Sequence, residues 1–172
     1  MRAGFRFFIP FCSILLAVLM PFFCGSEEAA PIKADRVYVS KGKRLLMLMK
    51  GDEVLKQYHI ALGGEPKGHK TRLGDSRTPE GDYFLDRRNP KSKFHLSMHI
   101  SYPNENDILA ARELGVEPGG NIMIHGLPEG KAWVGSLHTL LNWTDGCIAV
   151  TNEEMDEIWR YVPDGTPIRI EF

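Results

Sequence analysis

Ile124-His125-Gly126 and Trp143-Thr144-Asp145-Gly146-Cys147-Ile148 place an imidazole and a thiol 22 positions apart, each beside a glycine. Such a pair can run acyl transfer. A thiol of ordinary pKa, about 8.5, is only a few per cent thiolate at neutral pH, so a nucleophilic cysteine needs a neighbouring base. His125 is the candidate base. Gly126 and Gly146 carry no Cβ, which lets the backbone approach a substrate closely. The N–H groups of Gly146 and Cys147 can then face a carbonyl oxygen as it becomes an oxyanion, a contact that contributes about 3 kcal/mol to a transition state. The alternative is structural: Ile148-Ala149-Val150 reads as buried, and Cys147 beside it can be a small core hydrophobe.

The other thiols bear on this choice. Of three cysteines, Cys12 and Cys24 fall in an N-terminal apolar stretch. Arg2 and Arg6 precede a run from Phe7 to Phe23 broken only by Pro10, Ser13 and Pro21, and polarity returns at Gly25-Ser26-Glu27-Glu28. That order predicts a signal peptide, with Cys24-Gly25-Ser26 as the small-x-small site and cleavage after Ser26. The run also meets the lower limit of about 17 residues for a spanning helix, so an uncleaved membrane anchor is the alternative. Lipid attachment at Cys24 is disfavoured by the bulky Phe23. Residues 1–30 are therefore assigned to signal or anchor and 31–172 to a domain in the periplasm or cell envelope. In that setting an unpaired Cys147 is a liability unless it has reactive work.

About 140 residues suffice for one domain with its own core. The formal net charge of −1 argues against a nucleic-acid partner, which requires a basic stripe to displace counterions from phosphates. No internal repeat or low-complexity tract is visible, and Ala29 to Asp35 reads as a short linker.

The elements that must position the pair are mostly strands. Arg36 to Val39 and Arg44 to Met49 are short apolar runs, and Lys50-Gly51-Asp52 is a turn leading to an arm from Val54 through Leu62. A long loop covers Gly63 to Ser76, Thr78-Pro79-Glu80-Gly81 is a tight turn, and strands are predicted at Asp82–Leu85 and Phe94–Ile100. Asn104 or Asn106 can cap a helix running to Leu114, with Gly115 ending it. Asn121 to Ile124 is a strand that delivers His125 at its end. Thr151 and Glu154 form a capping box, and Met155, Ile158, Trp159 and Val162 then recur at helical spacing until Pro163-Asp164-Gly165. A strand from Ile168 to Phe172 closes the domain. The predicted fold is mainly β, with antiparallel, sandwich-like sheets and two or three helices.

Lys67, Lys70, Arg72 and Arg77 in the long loop can meet substrate carboxylates or simply be a solvated surface balanced by Glu65, Asp75 and Glu80; Arg77 is the preferred substrate contact. His59, His69, His95, His99 and His138 show no recognisable metal-ligand spacing, since His95 and His99 merely share a strand face. Neither metal nor cofactor is predicted. Trp133, Trp143 and Leu137 to Leu141 read as a lid or wall near the site, or as core, and His138 as a substrate contact or a surface residue.

His-Gly followed some twenty residues later by Thr-x-Gly-Cys-Ile resembles the signature of the L,D-transpeptidase (YkuD) family. Gly74 to Tyr83, which contains Thr78-Pro79-Glu80-Gly81, resembles that family's Thr-Pro-x-Gly turn, and the likeness spans about Arg36 to Phe172. It implies a peptidoglycan enzyme acting through a thioester. Cys147 would attack the carbonyl of a donor stem peptide at its L-to-D bond, and His125 would act as general base and acid. Gly126 would orient the histidine through its carbonyl, Gly146 and Cys147 would supply oxyanion donors, and D-alanine would leave. Arg77, Asp145, Trp143 and His138 are the candidates for substrate contact. The family commonly reads Ser-His-Gly-Cys, whereas Asp145 stands here two positions before the cysteine; a carboxylate there opposes thiolate formation, or stabilises a protonated His125.

Two alternatives accompany this reading: hydrolysis of stem linkages on the same fold, and a non-catalytic envelope-binding module. A sortase-like site predicts a Thr-x-Thr-Cys lead-in and a following strand arginine, which are not seen. Papain-like hydrolases place cysteine before histidine.

Overall fold

The computed structural model describes Met1, Gly4 and residues 32–172. The predicted export or anchor segment, residues 1–30, lies outside the described residues apart from those two positions. Among the described residues no helix is long and apolar enough to cross a membrane.

Strands β1 (Arg36–Ser40), β2 (Leu45–Lys50) and β3 (Glu53–His59) form an antiparallel meander. Gly51, at φ +55°, makes the second turn, in the left-handed region that glycine tolerates without Cβ strain. Strands β4 (Gly81–Ser92) and β5 (His95–Ile100) form a long hairpin, followed by helix α1 (Glu105–Glu113) and strand β6 (Met123–His125). After a 3-10 segment, Ala132–Leu140, come β7 (Ile148–Ala149), helix α2 (Asn152–Tyr161) and β8 (Thr166–Glu171).

The strands join in one eight-stranded sheet, ordered β3-β2-β1-β8-β4-β5-β6-β7. Most pairings are antiparallel, but β8 runs parallel to β1, and β7 parallel to β6. The two ends of the sheet meet: Ala61, just past β3, bridges Ala149 in β7, and Gly63 bridges Thr144. Curling of this kind turns one face inward. There Val39, Leu46, Leu48, Leu85, Ile100, Ile124 and Ile148 are fully buried. Helix α2 covers the part of that face formed by β5 and β6, burying Met155 and Ile158.

Helix α2 starts at the capping box expected from Thr151 and Glu154, and α1 at Asn104, one of the two expected caps, where Asp107 completes a box outside that expectation. Thr151 and Glu154 exchange side-chain and backbone hydrogen bonds, as do Asn104 and Asp107. The strands depart from the apolar pattern in two places. β4 continues past Leu85 to Ser92 through Asp86-Arg87-Arg88-Asn89, an arm held by ladder bonds to β5 and not by burial. β6 begins at Met123 because Asn121, at φ +56°, leaves extended conformation.

Candidate active site

Parallel pairing of β6 and β7 sets Ile124 opposite Ile148 and His125 opposite Ala149. Side chains alternate along strands, so with both isoleucines in the core, His125 and Cys147 turn to the other face. Both line one cleft of about 540 Å³.

His125 is nearly enclosed. Phe94 packs on the imidazole at 4.6 Å between ring centroids with the planes tilted by 43°, and Trp143 meets it edge-on at 5.6 Å. Nδ1 lies 2.7 Å from the carbonyl oxygen of Gly126. A carbonyl only accepts, so Nδ1 carries the proton and Nε2 keeps its lone pair. Burial pushes the His125 pKa below its ordinary 6.5, with the Gly126 carbonyl opposing and His138 adding to that shift. Gly126 is itself tightly packed: a Cβ there would stand 2.7 Å from Asn152 Oδ1 and 3.1 Å from the Phe94 carbonyl. Asn152 Oδ1 accepts the N–H of Leu127 at 2.8 Å, which ties the His-Gly turn to the start of α2.

Cys147 is half-buried, and its thiol donates to the Asn121 carbonyl at 3.7 Å. Burial pushes its pKa upward; the Met123 N–H directed at the sulfur pulls it down, Asp145 raises it and Lys70 lowers it. The resting arrangement is thus a protonated thiol sharing a cleft with an imidazole whose Nε2 is free to take a proton. This is the layout of a nucleophile activated by a general base.

Thr144 braces the turn before the sulfur. Its hydroxyl donates to the Cys147 carbonyl at 2.7 Å and accepts the Gly146 N–H at 3.2 Å. The Gly146 amide therefore already has a partner, whereas the Cys147 amide has no backbone partner among the described residues. Gly146 adopts φ +118°, and a Cβ there would lie 2.4 Å from the Arg77 carbonyl. Glycine here permits the Thr78-Pro79 loop to pack behind the cysteine.

The remaining candidate residues separate. Asp145 lines the cleft and is exposed, and Trp143 forms one wall. His138 does not line it. It is buried beside Trp143 in an adjoining apolar hollow of about 250 Å³, where, among the described residues, neither of its ring nitrogens has a hydrogen-bond partner, nor does Trp143 Nε1. Arg77 lines a separate depression of about 630 Å³ with Glu65 and Arg72, and only its backbone reaches Gly146.

Lys70 is buried on Asp75 at 2.8 Å, and Asp75 also accepts the N–H groups of Thr71, Arg72 and Arg77. Burial alone would raise the Asp75 carboxyl, but Lys70 and those N–H groups outweigh it and hold the group below its usual range. The loop cations are thus not one solvated cluster. His95 and His99 contact different carboxylates, Asp156 at 2.8 Å and Asp86 at 2.6 Å. The segment expected as a lid is the 3-10 stretch, with Trp133, Leu137 and Leu140 exposed.

Sequence reasoning misses Phe94, Lys93, Asn121, the Met123 amide and Asn152. Hairpin and helix packing bring these to the site, and no local pattern marks them. Thr144 had a signal, a hydroxyl two residues before a positive-φ glycine.

The sequence pattern of the L,D-transpeptidase catalytic domain, YkuD, matches residues 34–170. The chain is 32% identical over 112 residues to YafK of Escherichia coli K12, provisionally named an L,D-transpeptidase, covering 64% of this chain and 38% of that protein. Its fold is similar to the helical cell shape determining protein Pgp2 of Campylobacter jejuni, with TM-score 0.60, 27% identity, and coverage of 78% of this chain and 46% of the other. It is also similar to Bd1075 of Bdellovibrio bacteriovorus, with TM-score 0.56, 26% identity, and coverage of 81% and 48%. The chain spans less than half the length of each.

Proposed function

The chain belongs to the L,D-transpeptidase catalytic-domain family, and from that premise we propose that it acts on peptidoglycan stem peptides through a thioester on Cys147. The observation that carries this reading is the 2.7 Å contact of His125 Nδ1 with the Gly126 carbonyl, which leaves Nε2 as the proton acceptor in the cleft shared with Cys147.

The chemistry follows from that tautomer. As Sγ attacks the carbonyl carbon at the L-to-D bond, Nε2 takes the thiol proton. The Cys147 amide is the better placed oxyanion donor, because Gly146 would have to release Thr144 first. The C–N bond breaks, the departing amine takes the proton from the imidazolium, and a thioester remains. An amine from a second stem, deprotonated by the same Nε2, then forms the cross-link; water in its place gives hydrolysis. Burial that keeps both groups neutral at rest makes proton transfer part of the attack, so no thiolate need be stored.

Action in the cell envelope, export through residues 1–30 and a part in cell shape complete the proposal, the last by likeness to the Campylobacter protein named for that role. The test is incubation with a disaccharide-tetrapeptide and mass analysis of products. A cross-linked dimer identifies transfer, a shortened stem identifies hydrolysis on the same site, and unchanged substrate identifies a binding module.

A further inference from the structure

The segment from Lys131 to Asn142 presents apolar side chains to solvent. Trp133 is 76% exposed, Leu137 64%, Leu140 75% and Leu141 73%, whereas other exposed apolar side chains, such as Val54, Phe84 and Leu109, are scattered along the chain. In 3-10 geometry residues three apart lie on one side, which sets Leu137 beside Leu140. Leu137 and Leu141 also border the apolar hollow of about 250 Å³, together with Lys131 and Val134, so the patch is continuous with a concavity. Clusters of this kind on a folded domain mark a contact surface for a protein or a membrane.

Its charges choose between the two. Lys131 Nζ stands 6.0 Å from the centre of the Trp133 ring at one end, and the Arg44 guanidinium donates to Asn142 Oδ1 at the other. No carboxylate side chain occurs from Lys131 to Asn142, and the nearest in sequence, Glu129 and Asp145, fall outside both ends. An apolar strip with a tryptophan, closed by cations and free of carboxylates, suits the boundary between headgroups and acyl chains: an indole sits there half in hydrocarbon, and cations meet anionic headgroups. His138 fits the same setting. It is buried under the strip, and burial lowers its pKa, so it sets no charge against the apolar side at neutral pH. The apolar run from Phe7 to Phe23 brings the chain to a membrane, as signal or as anchor.

We propose that residues 131–142 dock on the surface of a membrane containing anionic lipids, with Trp133, Leu137, Leu140 and Leu141 entering the headgroup boundary and Lys131 and Arg44 meeting lipid phosphates. A 3-10 segment of nine residues is too short to span, so the contact stays within one leaflet. Trp143 borders both the apolar hollow and the Cys147 cleft, so docking holds the cleft at the lipid surface and exposes it to membrane-proximal substrate. The docking itself does not rest on the chemistry assigned to Cys147.

Tryptophan emission isolates this contact in the full chain, because the three tryptophans are Trp133, Trp143 and Trp159 and none falls in residues 1–30. The probe is a vesicle of phosphatidylcholine and phosphatidylglycerol with brominated acyl chains, which quench only indoles that reach them. Wild-type emission is expected to be quenched, and Trp133→Phe to lose that quenching. Leu137→Ser combined with Leu141→Ser is expected to lose it too, at an unchanged unfolding midpoint, since both side chains are exposed. Lys131→Gln is expected to lower the ratio of docked to free protein about fivefold, and vesicles of phosphatidylcholine alone to quench less than the mixture. Absence of quenching in the wild type, or equal quenching in Trp133→Phe, overturns the proposal. So does a lipid-independent dimer, without quenching, that the two leucine changes abolish, which assigns the patch to a second copy of the chain.

Discussion

Nδ1 of His125 is held by the carbonyl of its own neighbour, Gly126, and that carbonyl is held by the packing of Asn152 against the same turn. The orienting group for the base is backbone, so its precision depends on a side chain that never touches the imidazole.

Asn152→Ala leaves the Leu127 N–H without its acceptor and frees the turn. Loss of about 2 kcal/mol of stability is expected, with a roughly tenfold fall in acylation rate as the imidazole loses its single orientation. Asn152→Asp, which keeps an acceptor oxygen, is expected to recover most of both. Thermal unfolding and single-turnover acylation measure the two effects.

Gly146→Ala confronts a positive φ and a carbonyl oxygen 2.4 Å from the new methyl. Backbone strain and overpacking each cost on the order of 1–3 kcal/mol. A destabilisation of about 3 kcal/mol in urea unfolding is expected. Cys147→Ala, which removes one sulfur atom from a half-buried site, is expected to stay within about 1 kcal/mol of the wild type.

Burial lowers the His125 pKa and raises that of Cys147. Acylation by this route needs a neutral imidazole to take the thiol proton and that proton to reach the leaving amine, so kcat/KM is expected to fall on the acid side below pH 6.5 and to fall on the alkaline side above pH 9.0. The sign for stability follows from the same burial. A folded state that resists protonating His125 binds fewer protons than the unfolded chain, so this contribution is present above the ordinary pKa and is lost as pH falls below it. A pH series of activity and of unfolding midpoints checks both.

Phe94→Ala admits water to the imidazole and removes the main cause of its lowered pKa. The acid limb is expected to move upward, toward pH 6.5, with a smaller change in the alkaline limb. An unmoved acid limb would show that Phe94 does not set the environment of the base.

Much of the fold is legible locally. Thr151 with Glu154, followed by Met155, Ile158 and Val162, announces α2 because capping and amphipathicity are short-range, and Asn104 with Gly115 does the same for α1. The insertion of β8 between β1 and β4, and the bridge of Ala61 to Ala149, depend on long-range pairing that no window of residues encodes. The polar arm of β4 is hidden for a related reason: its ladder bonds hold it, and an apolar pattern is absent. At the site, the two glycine-flanked residues stand out by type and spacing. Phe94 and Lys93 arrive only through the β4–β5 hairpin, and Arg77 is drawn away because its backbone packs on Gly146.

The central claim is that Cys147 carries the acyl group. Intact-protein mass spectrometry during turnover of a tetrapeptide stem tests it directly. The predicted result is a transient adduct of the stem minus its terminal residue, mapped to Cys147 and absent from Cys147→Ala, which forms no product. Product formed by Cys147→Ala at the wild-type rate would contradict it.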